Sequence, residues 1–204
     1  KKFPDISVNA MNEMADTFKI NVLQEALENK KKIILFWYPK DFTFVCPTEI
    51  HAFQSKLSEF EKRNTMVIGA SCDTPEVHFA WLSTPKDNGG IEGVTFPLIA
   101  DSTRHLSETL DILDTEYIGT EENYSIEGDN VSYRATFLID EEGTIFHESV
   151  NVMPLGRNVD EYLRLIDGYA HNQKHGEVCP ANWEEGKEAM SESRESVANY
   201  LSKH

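Results

Sequence analysis

The sequence predicts an α/β fold: a central mixed sheet flanked by helices, followed by a C-terminal arm. Three observations carry that prediction. Short apolar runs at Ile33-Ile34-Leu35-Phe36-Trp37-Tyr38 and Met66-Val67-Ile68-Gly69-Ala70 are too short for helices and fit buried strands. Segments with helical spacing alternate with them. A hairpin pattern comes late, with Gly143 at its turn. At 204 residues the chain holds one domain with an appendage. We place the domain at residues 1–172 and the arm at 173–204, because the chain turns polar near His171–Gly176 and stays charged and small-residued beyond.

Along the chain, Asn21-Val22-Leu23-Gln24 reads as a capped helix start with Leu23 and Leu27 on one face. The strand Ile33–Tyr38 ends at Pro39. Ile50, Phe53, Leu57 and Phe60 then make a single helix face, with Pro47 in the first turn, where its missing N–H costs nothing. Thr65–Ser71 is a strand, Pro75–Ser83 a helix and Gly89–Gly93 a loop. Phe96–Ile99 is a short strand, and Leu106, Leu110 and Leu113 mark a helix. Residues 114–130 are acidic without clear periodicity and read as an exposed loop. Tyr133–Asp140 and Thr144–Val150 form the hairpin. Val159, Leu163, Ile166 and Ala170 close with a helix. From Ile33 onward the order is β-α-β-α-β-α-β-β-α.

Composition narrows the function. Against 35 acidic residues stand 19 basic ones, a net charge of −16, which repels nucleic acid and anionic membrane surfaces. Without an apolar run of 18 residues, no transmembrane helix is expected. The start lacks the apolar core of a signal peptide and also an initiator Met, so a removed leader stays open; the location expected is cytoplasmic. Asn123-Tyr124-Ser125 and Asn130-Val131-Ser132 match a glycosylation sequon too short to carry weight. The three cysteines, Cys46, Cys72 and Cys179, have neither CxxC nor zinc-finger spacing. No metal is expected, and the cysteines are either buried core residues or redox groups.

Cys46 sits where a buried strand hands over to a helix, the edge at which α/β sheets build sites. An ordinary thiol is only about 3% ionised at pH 7. A helix N-terminus presents free N–H groups and the positive end of the dipole, which favour the anion. Thr43 offers a hydroxyl three residues earlier, and Pro39 stiffens the connecting loop.

Pro39-x-x-x-Thr43-x-x-Cys46, within Phe42-Thr43-Phe44-Val45-Cys46-Pro47-Thr48-Glu49, resembles the active-site signature of the typical two-cysteine peroxiredoxins. Gly176-Glu177-Val178-Cys179-Pro180-Ala181-Asn182-Trp183 is similar to that family's second-cysteine motif, on the branch of the bacterial alkyl hydroperoxide reductases. Arg134-Ala135-Thr136-Phe137-Leu138-Ile139-Asp140 and Gly156-Arg157 match as well, so the likeness runs from about Val22 to Trp183. The resemblance implies a thioredoxin-like fold with peroxiredoxin additions and a peroxidase that reduces hydrogen peroxide and alkyl hydroperoxides without a cofactor. It implies that Cys46 attacks the peroxide, that Thr43 and the Cys46 backbone N–H hold the peroxide oxygens, that Arg134 stabilises the thiolate and the charge that develops as the O–O bond breaks, and that Glu49 and Arg157 aim Arg134. It makes Cys179 of a neighbouring subunit the resolving thiol, in a homodimer that assembles to a decamer. The reductant would be thioredoxin or the flavoprotein subunit of an alkyl hydroperoxide reductase.

Cys72, in Ser71-Cys72-Asp73, reads as a small packing residue, as do His78 and Trp81 on their helix. Over-oxidation-prone relatives carry a Gly-Gly-Leu-Gly loop and a C-terminal Tyr-Phe. Gly89-Gly90-Ile91-Glu92-Gly93 and Tyr200-Leu201 match these imperfectly, which predicts resistance to over-oxidation. Two other functions compete: a thiol–disulfide oxidoreductase, against which the missing CxxC counts, and an oligomeric holdase chaperone.

Overall fold

The computed structural model describes residues 1–120 and 122–203. Internal packing divides the chain into two compact units, Lys1–Arg157 and Asn158–His204.

The first unit opens with a hairpin, β1 (Ser7–Met11) and β2 (Thr17–Asn21), which the sequence reading passed over. Its signal is an alternation: Val8, Ala10 and Ile20 are buried while Ser7, Thr17 and Lys19 face outward. Asn21 ends β2 and caps α1 (Val22–Asn29), its side chain accepting from the Gln24 N–H at 3.2 Å. β3 (Lys32–Trp37) follows, and every side chain from Ile33 to Trp37 is buried. It runs parallel to β4 (Thr65–Ser71) and antiparallel to β8 (Arg134–Ile139); Phe36 packs on Phe53 while Ile33, Leu35 and Trp37 join the main core cluster, so both faces are covered and its apolar residues need not alternate. With β5 (Leu98–Ala100) and β9 (Ile145–Asn151) the seven-stranded mixed sheet has the order β2-β1-β5-β4-β3-β8-β9.

The single helix expected after Pro47 is two, α2 (Cys46–Ser55) and α3 (Leu57–Lys62). At the break, the Ser55 hydroxyl donates back to the Ala52 carbonyl at 2.8 Å and competes with the helical ladder. The apolar face survives the break: Phe53 stacks on Phe36 of β3 at 3.9 Å and meets Phe60 of α3 at 6.1 Å. α4 (Pro75–Leu82) begins on its proline. α5 (His105–Thr109) is shorter than the Leu106–Leu113 pattern predicts, and Leu113 instead bridges Ser132 as a strand-like pair.

The acidic segment is not a loop but a second hairpin, β6 (Glu116–Thr120) and β7 (Asn123–Glu127), paired from Glu116↔Glu127 to Thr120↔Asn123. Both its faces are exposed, Tyr117, Ile118, Tyr124 and Ile126 included, so burial never wrote an alternation into its sequence.

The second unit holds α6 (Val159–His175), capped by the Asn158 side chain and closed by Gly176 at φ +67°, and α7 (Arg194–Leu201). Between them the chain is tied down rather than free. Val178 and Met190 exchange backbone hydrogen bonds of 2.7 and 3.0 Å, and Trp183 is buried with its indole donating to the Lys187 carbonyl at 3.0 Å. Among the described residues, no helix is long and apolar enough to cross a membrane.

Candidate active site

Sheet register gathers the site at one edge. β3 pairs Phe36 with Thr136 of β8, which places Arg134, the first residue of β8, beside the point where β3 releases the chain toward Cys46. The Ser132 hydroxyl donates to the Tyr38 carbonyl at 3.1 Å and fastens the two ends together. β9 pairs Asn151 with Arg134, so the segment through Met153 to Arg157 returns to the same edge.

Cys46 is the first residue of α2, with Pro47 next to it in the first turn. No side chain caps this end, which leaves the positive pole of the helix to the sulfur. Cys46 has 0% exposure. Arg134 Nη1 lies 3.3 Å from its Sγ and 2.7 Å from Glu49 Oε2, one turn along α2. Arg134 Nε donates to the Met153 carbonyl, an anchor that nothing in the local sequence announces.

Glu49 in turn is held by Arg157. The Arg157 backbone N–H and Nε both donate to Oε1 at 2.9 Å, and Nη2 donates to Oε2 at 2.9 Å. Arg157 Nη1 also reaches the carbonyls of Trp37 and Ala135, at 2.8 and 2.9 Å, and its guanidinium lies over the Phe36 ring at 5.2 Å. Two guanidinium charges thus share one carboxylate in a dry cluster.

A cleft of about 480 Å³ is lined by Pro39, Thr43, Phe44, Val45 and Arg134. In this conformation the Thr43 hydroxyl donates to the Lys40 carbonyl at 2.9 Å. Phe44 stands 95% exposed at the rim. Asp129 and Val131, which follow β7, line the same cleft, so the acidic excursion borders the site.

Cys46, Glu49, Arg134 and Arg157 therefore meet in one network, and Pro39 and Thr43 line the cleft that Arg134 borders. Cys179 belongs to the second unit, half-buried, its thiol directed at the Gly168 carbonyl at 3.6 Å. Burial pushes this thiol up, against the pull of Arg164 and with the push of Glu177. Cys72 is buried with its sulfur 3.6 Å from Ser107 Oγ, and burial pushes its thiol up as well. His78, read from the sequence as packing, is fully buried but paired to Asp41 at 2.7 Å.

Residues 1–148 match the model of the AhpC/TSA family, and residues 169–203 match the C-terminal domain of 1-Cys peroxiredoxin. Alkyl hydroperoxide reductase C of Helicobacter pylori is 43% identical over 204 residues, covering 98% of this chain and 94% of that protein. Peroxiredoxin-1 of Gekko japonicus is 42% identical over 174 residues, 85% of this chain and 81% of the relative. The reduced 2-Cys peroxiredoxin of Plasmodium vivax superposes with a TM-score of 0.88 at 40% identity, covering 99% of this chain and 97% of that one. Fold, site and relatives together define a thiol-dependent peroxidase of thioredoxin-like fold. The chain belongs to the AhpC/TSA family of peroxiredoxins.

Proposed function

We propose that Cys46 is the thiolate that reduces hydrogen peroxide and alkyl hydroperoxides, and that Cys179 of a partner subunit resolves it. The observation that carries this reading is the 3.3 Å contact between Arg134 Nη1 and Cys46 Sγ at the start of α2. The sulfur lone pair attacks the terminal peroxide oxygen, the O–O bond breaks, and the alkoxide or hydroxide leaves and takes up a proton. Arg134 and the helix N-terminus stabilise the negative charge as it passes from sulfur to the leaving oxygen. Thr43 turns from the Lys40 carbonyl to hold the entering peroxide.

The resulting sulfenic acid condenses with the Cys179 thiol, expelling water and leaving a disulfide. Because the Cys46 sulfur is wholly covered, the first turn of α2 must open before the thiols can meet. A dithiol reductant, thioredoxin or an alkyl hydroperoxide reductase flavoprotein, then restores both cysteines by exchange. In this reading residues 1–172 form the peroxidase domain, 173–204 the arm bearing the resolving thiol, and homodimers assemble toward a decamer. Three free thiols suit a reducing compartment such as the cytoplasm.

The test is non-reducing electrophoresis after one equivalent of peroxide. Wild type should give a disulfide-linked dimer that is absent in both Cys46→Ser and Cys179→Ser, and Cys46→Ser should consume no peroxide. Peroxide turnover that persists in Cys46→Ser overturns the assignment.

A further inference from the structure

Between Pro39 and Cys46 the chain passes through an awkward turn. Phe42 is held at φ +54°, a left-handed conformation uncommon for an aromatic residue and kept only where its surroundings enforce it. Its ring lies 5.8 Å from that of Trp81 on α4. The neighbouring Asp41 is clamped twice. Its backbone N–H donates to Asp73 Oδ2 at 2.8 Å, and its carboxylate Oδ2 lies 2.7 Å from His78 Nδ1, with both side chains at 0% exposure.

The hydrogen-bond pattern fixes the protonation of this pair. His78 Nε2 lies 3.1 Å from the Ile99 carbonyl, which can only accept, so Nε2 carries a proton. Nδ1 and a carboxylate oxygen at 2.7 Å cannot face each other as bare lone pairs, so a second proton lies between them. Whether it rests on the ring or on the carboxyl, the pair is neutral overall. It holds one proton more than the same two groups would in water at neutral pH. The groups facing it are the Tyr38 hydroxyl from the end of β3, and Asp73 with Ser71 from the turn after β4. Loss of the shared proton leaves a buried negative charge beside Asp73.

We propose that Asp41 and His78 are positioning residues for the peroxidase reaction: the proton locked between them holds the Pro39–Val45 loop so that Thr43 and Cys46 meet the substrate. The proposal rests on the reading of Cys46 as the reacting sulfur. Directions of titration support it. Burial pushes Asp41 up, against the pull of His78; burial opposes a charged His78, but its hydrogen bond to and attraction by Asp41 prevail and move it up. Both shifts keep the proton in place to higher pH.

The experiment measures the second-order rate of Cys46 sulfenic acid formation by stopped flow, from mildly acidic to alkaline pH, in the full chain. Wild type should lose rate on the alkaline side as the pair gives up its proton. Asp41→Asn, whose amide can donate to Nδ1 with no proton to lose, should lack that alkaline fall. Asp41→Ala should be slow at every pH, by on the order of a hundredfold, the cost of a catalytic loop misplaced by about 1 Å. Superimposable alkaline limbs for wild type and Asp41→Asn overturn the proposal, as does Asp41→Ala within about threefold of wild type. If Asp41→Ala does not fold, nitrogen-15 imidazole spectra of the wild type decide. A protected, strongly deshielded Nδ1 proton at neutral pH supports the shared proton, and an ordinary exchanging neutral imidazole overturns it. Absence of Cys46 sulfenic acid in wild type at every pH would instead refute the Cys46 assignment, while the imidazole spectra still report on the pair.

Discussion

Replacing Glu49 by Gln isolates what the buried charge cluster does. Glu49 is 2% exposed in its side chain, and Arg134 and Arg157 are 4% and 1% exposed. An amide cannot accept at all four points: whichever end carries the NH₂ group points a donor at two arginine or backbone donors. Two buried guanidinium groups then lose their only carboxylate in the cluster. Breaking a buried pair costs about 3–5 kcal/mol. At about 2–4 °C per kcal/mol for a chain of this size, the melting temperature should fall by roughly 6–20 °C. The rate should also fall, because Arg134 loses its 2.7 Å anchor and its aim at the sulfur. Removal of one donor that acts on developing charge typically costs about 10²–10³ in rate. Urea unfolding and stopped-flow oxidation of Cys46 measure the two effects separately. A Glu49→Gln protein within about 1 kcal/mol of wild type in urea and within about threefold in rate would falsify the idea that this carboxylate aims Arg134.

Four further outcomes are expected. Stability in urea should decline as pH rises above the ordinary histidine value of 6.5: His78 and Asp41 both bind protons more tightly in the folded chain, so their contribution is complete at lower pH and fades on the alkaline side, and Asp41→Asn should flatten the slope. Cys72→Ser should leave the peroxidase rate unchanged and cost about 1–2 kcal/mol, since it buries a hydroxyl in place of a thiol; a collapse in rate would give Cys72 a redox role. Gly90→Ala should cost about 2–3 kcal/mol by urea unfolding, because a Cβ there would sit 1.8 Å from the Thr84 carbonyl oxygen, a backbone atom that cannot swing away. Graded peroxide excess followed by mass spectrometry should show disulfide well before sulfinic acid at Cys46; early sulfinic acid would mean that the Gly89–Gly93 loop restrains α2 despite its departures from the sensitive pattern.

Strands buried on both faces were legible from residues alone: Ile33–Trp37 is apolar without a break because neither side meets water. The β6–β7 hairpin was not, because neither of its sides meets the core. The β1–β2 hairpin was written plainly in Val8, Ala10 and Ile20, and its brevity hid it among polar neighbours. Within the site, the position of Cys46 at a strand-to-helix junction followed from local pattern. Its partnership with Arg134, and through Glu49 with Arg157, did not, since 88 and 111 residues of chain separate them from Cys46 and only the sheet register brings them together. Family motifs supplied those names before any geometry. They were silent on His78, whose pairing with Asp41 depends on where α4 lies against the loop.

The complete covering of the Cys46 sulfur also sets a condition on anything that reacts with it. Under the proposed assignment, a small hydroperoxide needs only a slight breathing of the segment through Pro39 and Thr43 to bring its terminal oxygen to the sulfur. A bulky disulfide or alkylating reagent, however reactive, finds no surface to strike while α2 is wound. Selectivity among oxidants would then follow from how far the cover must open, and a large electrophile should modify Cys46 only as fast as that first turn frays open.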